Sequence, residues 1–125
     1  MQLIFLVGVA GALGAIARYL LSGLFTAMFG AAFPWGIFIV NALGCLMFGL
    51  AVGMAEHFSL ISDTVRLVLL TGFMGSFTTF STFIFDAGIM FSQGRWMVSL
   101  LDLVGQVVVG LFCLWVGMRL VALMH

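Results

Sequence analysis

Four long apolar runs alternate with three short polar interruptions along this chain. The runs cover about residues 3–29, 33–55, 64–91 and 97–123. The interruptions are Gly30 to Pro34, the stretch Glu56-His57-Phe58-Ser59 through Asp63, and Ser92-Gln93-Gly94-Arg95. A helix needs about 20 apolar residues to cross a bilayer core roughly 30 Å thick, and each run meets that length. The pattern predicts an all-α integral membrane four-helix bundle over residues 1–125, a single domain running up-down-up-down with both termini on one side. No run alternates with the period of two that marks a strand.

Composition sharpens this reading. Of the 125 residues, 65% are hydrophobic and 6% are charged, against roughly 45–50% and about 25% in a soluble domain. Such a chain cannot cover a water-facing surface. Its four cations are all Arg and are balanced by four carboxylates, so no basic face exists for nucleic acid. Four spans make a thin bundle with little interior, so a path for a polar solute calls for more than one copy or for a partner. Cys45 and Cys113 fall inside apolar runs with no CxxC spacing and read as small core residues. The start, Met1-Gln2-Leu3-Ile4, has no basic n-region and no A-x-A site. The first run is therefore expected to remain in the mature protein.

Charge gives little orientation. Arg66 and Arg119 lie toward the side holding both termini, Arg95 toward the other, and Arg18 inside the first span nearer Gly30. The positive-inside rule needs a bias to fix topology. A chain without one is open to insertion both ways, and oppositely oriented copies could pair as an antiparallel dimer. Small residues supply packing surfaces in lipid: Gly8, Gly11 and Gly14 in the first span, and the Gly49-Leu-Ala-Val-Gly53 motif in the second.

Polar groups within the spans are where chemistry is expected. Arg18 reads either as a snorkelling side chain or as a cation at the foot of a wet vestibule that draws anions inward. Asn41 either bonds a neighbouring backbone or offers its amide to a solute. Gln106 has the same two readings, and Asp102, nearer the start of the fourth span, reads as interfacial. The densest feature is Gly72-Phe73-Met74-Gly75-Ser76-Phe77-Thr78-Thr79-Phe80-Ser81-Thr82-Phe83. Glycine and β-branched Thr weaken a helix, and hydroxyls compete for its backbone groups. Irregular backbone at membrane depth survives only where protein or a wet cavity satisfies it. A broken third helix is therefore expected. Phe77, Phe80 and Phe83 interleave with hydroxyls there, and the positive edge of an aromatic ring can contact an anion. Hydroxyls, amides and ring edges make a neutral, donor-rich lining from which an ion can leave. An enzyme is not expected, since no HExxH, Cys/His cluster or GxGxxG turn occurs.

Three motifs, Ala10-Gly11-Ala-Leu-Gly14-Ala15-Ile-Ala-Arg18-Tyr19, Gly36-Ile-Phe-Ile-Val40-Asn41-Ala-Leu-Gly44 and Gly72 through Phe83, together resemble the Fluc (CrcB-like) fluoride channels of bacteria. The resemblance implies a dual-topology antiparallel homodimer with two pores in the bacterial inner membrane. It implies passive, selective export of fluoride that has entered as HF. It assigns Arg18 to the vestibule, Asn41, Phe80 and Phe83 to the pore lining, and Ser81 and Thr82 to a polar track. It also implies a structural Na⁺ at the dimer centre, held by the backbone carbonyls of Gly75 and Thr78. Ala10, Ile37, Ser76 and Asp86 depart from the family pattern, and the fourth span has no Ser or Thr after Ser99. The alternative is a small proton-coupled multidrug exporter. It needs an embedded carboxylate, and none lies between Met1 and Ala55. A non-transporting assembly subunit is a third class.

Overall fold

A computed structural model describes residues 1–58 and 61–124; Ser59 of the polar loop and His125 lie outside the described residues. Helix α1 spans Gln2–Phe29, α2 Trp35–His57, α3 Asp63–Leu67, α4 Gly75–Phe77, α5 Phe80–Ser92 and α6 Trp96–Ala122, with a π-helical stretch, Val68–Met74, joining α3 to α4. No strand occurs among the described residues. Among the described residues four units are long and apolar enough to cross a membrane, the third being residues 63–92 taken together. At 1.5 Å per residue, α1 reaches about 42 Å and α2 about 34 Å.

The second span begins at Trp35 rather than Phe33, because Pro34 stands as its N-cap. It runs on to His57, with Phe58 as its extended C-cap. Ser62 starts α3 by accepting the Val65 N–H. Gly30 and Gly94 turn the chain at φ 84° and 74°, backbone that favours glycine. The Arg95 guanidinium donates to the Ala32 carbonyl. That bond docks the α5–α6 turn on the α1–α2 turn and puts both at one end of the bundle, as the up-down order requires.

Close backbone approach builds the bundle. A Cβ on Gly49 would lie 2.2 Å from the Leu114 carbonyl, and one on Gly117 2.4 Å from that of Leu46. The α2–α6 seam is thus glycine-lined from both sides, with Gly53 closing on Val121. Helix α1 meets the third span in the same manner: a Cβ on Gly14 would lie 2.3 Å from the Phe73 carbonyl, and one on Gly72 2.9 Å from the Ala10 Cβ. Gly11 faces Ser76, but Gly8 meets nothing within 4 Å, so it adds no packing within the protomer. Ser99 Oγ donates to the Ala87 carbonyl at 2.8 Å and pins α5 to α6. Large apolar side chains face outward on all four spanning units, as expected of a surface meeting lipid or another copy. Of all α1, only Gly14 is buried. Cys45 and Cys113 are free thiols, each half-buried.

The third span breaks between α4 and α5. Thr78 (ψ 159°) and Thr79 (φ −147°, ψ 121°) are extended. They stand at the midpoint of residues 63–92. The glycines do not make the break. Gly75 is helical at φ −62°, and Gly72 is a packing contact. The break belongs to the two threonines, because a neighbouring side chain gives their peptide groups another partner.

Candidate functional site

Asn41 on α2 spans the break with three hydrogen bonds. Its Oδ1 accepts the Thr79 N–H at 2.9 Å, and its Nδ2 donates to the Thr79 carbonyl at 3.1 Å. The amide imitates a paired peptide and holds both polar groups of Thr79. The remaining Nδ2 hydrogen serves Gln106 Oε1 at 2.7 Å. Gln106 Nε2 in turn donates to Asp102 Oδ1 at 3.0 Å, one turn back on α6. Gly44, one turn beyond Asn41, admits the break, since a Cβ there would sit 2.1 Å from Thr78 Cγ2.

The two helix ends at the break differ in sign. On the α4 side the helix ends in carbonyls. Thr78 N–H and Oγ1 both turn back to the Met74 carbonyl, each at 3.1 Å. The Gly75 carbonyl loses its usual donor, the Thr79 N–H, to Asn41. Arg18 Nη1 lies 3.4 Å from the Thr78 carbonyl, placing a cation at the negative end of a helix. On the α5 side Thr79 caps the helix, its Oγ1 accepting the Thr82 N–H at 3.3 Å and donating to Thr82 Oγ1 at 3.1 Å. The N–H groups of the first turn of α5, with its positive dipole end, thus start at mid-span.

Beside the break lies a cavity of about 420 Å³. Asn41, Gly44, Cys45, Thr78, Thr79, Phe80, Phe83 and Gln106 line it, with Phe48, Val107 and Leu114 as its greasy wall. Phe80 and Phe83 stand edge-on, their centroids 5.8 Å apart and their planes at 70°. Phe83 is buried, whereas Phe80 is 73% exposed and projects out of the protomer.

The structure therefore gathers Asn41, Phe80, Phe83 and Thr78 around one cavity, with Thr82 bonded to its rim and Arg18 behind the break. Ser81 is exposed and stands apart from this polar seam. Gly75 is exposed on the outer face of α4. Asp102 departs from its interfacial reading: it is 0% exposed, enclosed within the protomer. Sequence reasoning missed Gly44 and Cys45 as walls. The signal for Gly44 was its i+3 spacing from Asn41, which puts both on one helical face. No group of His, Cys, Asp and Glu able to hold a metal occurs among the described residues.

The cavity at the mid-span break is neutral and mostly apolar, with Asn41, Thr78, Thr79 and Gln106 as its polar residues. Residues 5–118 match the family described as CrcB-like protein, Camphor Resistance (CrcB). The chain belongs to that CrcB family. Its relatives include a protein of Nitratidesulfovibrio vulgaris (strain Miyazaki F), 49% identical over 94% of this chain and 95% of its own length. One from Nitrosococcus oceani is 46% identical over 89% of each, and one from Chloroflexus aurantiacus is 41% identical over 96% and 95%. All three bear the name fluoride-specific ion channel FluC. Four spanning units and bacterial CrcB relatives make this a multi-pass bacterial membrane protein, a transporter-type protein and not an enzyme.

Proposed function

We propose that the chain is a fluoride-selective channel that lets the anion leave the cytoplasm passively, down its own gradient. The observation that carries this reading is the cavity at the break, where neutral donors and aromatic rings meet with no fixed cation on its wall. Fluoride is small and tightly hydrated, so it enters a narrow apolar space only where dense donors replace its water. The Phe80 and Ser81 N–H groups that open α5 and the Thr82 hydroxyl hydrogen are donors that no acceptor among the described residues holds. Ring edges of Phe80 and Phe83 add a weak positive potential. None of these binds so strongly that the ion stays. Asn41 orients the lining and does not itself coordinate the ion, since both of its N–H bonds are spent.

The functional unit is an antiparallel homodimer with two pores in the plasma (inner) membrane. One protomer leaves its site half-walled, with Phe80 projecting outward, and the weak charge bias of the loops permits both orientations. Arg18 serves as the vestibule cation and Ser81 and Thr82 as the polar track, Ser81 from the exposed face that a second copy would cover. A structural Na⁺ fits the donor set. Gly75 is exposed and its carbonyl is without its helical donor, and the Thr78 carbonyl keeps a second lone pair beside Arg18. Two copies would hold the ion through these carbonyls, which suit a hard cation, and it would supply a fixed positive charge and a clamp between protomers. A multidrug exporter is less well supported, because the cavity offers no carboxylate for proton exchange.

The test is efflux from liposomes loaded with potassium fluoride or potassium chloride, with valinomycin clamping the voltage. Rapid fluoride release with no comparable chloride release is expected. Equal release of both anions, or none of either, refutes the proposal.

A further inference from the structure

Asp102 on α6 lies outside the cavity that Gln106 lines, yet it is built into the core. Asp102 is 0% exposed, and its Oδ2 has no hydrogen-bond partner among the described residues. Buried polar atoms are nearly always partnered, so an orphan calls for an explanation. Only one bond occupies the carboxyl, and that bond is to Gln106.

The direction of every bond in this row is fixed from one end. The Thr79 peptide N–H is only a donor, so Asn41 must turn Oδ1 toward it. Asn41 Nδ2 then faces Gln106, which must present Oε1. Gln106 Nε2 is thereby turned to Asp102, where only an acceptor satisfies it. Asn41 and Gln106 are amides whose two ends are nearly the same shape, so without an acceptor at position 102 Asn41 alone holds Gln106 this way round, and Gln106 Nε2 is left unpaired. A flipped Gln106 would set N–H against N–H at Asn41 and push Asn41 off the break. We propose that Asp102 and Gln106 are positioning residues: a two-member relay on α6 that reinforces the orientation Thr79 gives Asn41, and through it steadies the helix break that shapes the anion cavity. The assignment rests on the fluoride-channel reading for its transport consequence, while its structural half concerns Thr79 alone.

The relay works through the acceptor at position 102, not through its charge. Asn in place of Asp102 keeps an acceptor oxygen for Gln106 and can turn its own N–H₂ to the side where Oδ2 is orphaned. Leu keeps the bulk and loses the acceptor. Met in place of Gln106 keeps the length and cuts the row.

The experiment compares D102N, D102L and Q106M with the unaltered channel, each purified, checked for an intact elution profile and reconstituted. Fluoride efflux is read beside backbone hydrogen exchange at Thr79. Efflux is expected to fall on the order of tenfold in Q106M and D102L, the low end of what outer-shell partners cost elsewhere. Thr79 exchange should quicken in the same two variants. D102N should match the unaltered protein in both readings. Full-rate efflux in Q106M overturns the relay, as does slowed efflux with unchanged Thr79 exchange. A D102N that behaves as D102L does overturns the acceptor argument. If the unaltered protein passes no fluoride, the channel reading fails instead, and Thr79 exchange in the three variants still decides the relay.

Discussion

Replacing Asn41 with Leu, which has nearly the same shape, removes all three of its hydrogen bonds while leaving the volume of α2 in place. The bonds lost are those at 2.9, 3.1 and 2.7 Å to Thr79 and Gln106. Interhelical side-chain hydrogen bonds in membranes average about 0.6 kcal/mol, so three give about 2 kcal/mol. The Thr79 N–H then has no acceptor, and Thr79 is 7% exposed. A buried donor left unpaired adds about 1–3 kcal/mol. The total is about 3–5 kcal/mol, unless the break closes into a continuous helix and returns the Thr79 N–H to the Gly75 carbonyl. Both outcomes remove the cavity's shape. Reversible unfolding in mixed micelles would measure the loss, and fluoride efflux the consequence. A variant within about 0.5 kcal/mol of the unaltered protein, the usual spread for changes away from such features, would refute the brace and with it the account of the break.

Other parts of the structure are equally open to test. Gly49→Ala and Gly117→Ala each drive a Cβ into backbone across the α2–α6 seam and should cost about 1–3 kcal/mol by overpacking, whereas Gly8→Ala should be neutral; thermal unfolding in detergent compares them. Phe80→Ile keeps a bulky apolar side chain but loses the ring edge, so fluoride efflux should slow with no change in elution profile, and unchanged efflux removes that ring from the path. Arg18→Gln keeps a donor for the Thr78 carbonyl and removes the charge; slower efflux at low salt, fading as salt rises, is expected of a vestibule cation. Labelling single cysteines placed by Ala31→Cys or Gln93→Cys, both exposed in the turns at one end of the bundle, from each side of the membrane should give reaction from both sides, and reaction from one side alone would end the dual-topology proposal.

Hydropathy made the four spans legible, because lipid imposes one demand along about 20 consecutive residues. The position of the break was legible only as a region. Gly72 and Gly75 weaken a helix by propensity, yet both stay helical, since at this depth backbone leaves a helix only when another group takes over its hydrogen bonds. That group is Asn41, 38 positions away, and no local pattern at Thr79 announces it. The same distance hid the second role of Asn41. An amide inside a membrane reads as a donor to a solute, but its capacity is finite, and here Thr79 and Gln106 take both hydrogens. Asp102 misled for a related reason. Its place six residues into α6 suggested an interface, whereas its enclosure follows from α5, pinned alongside by Ser99 and Ala87. The glycine seams were readable as surfaces but not as pairs. Gly49 could be matched to Gly117 only once α2 and α6 were seen side by side.

The central claim is that a neutral cavity at a mid-span break discriminates among anions by how densely its donors surround a small ion. Planar-bilayer recording of the reconstituted protein, with a fluoride gradient across the membrane and equal chloride on both sides, tests it most directly. The account predicts a current that reverses at the fluoride equilibrium potential. A reversal at zero voltage, where chloride stands in balance, would contradict it.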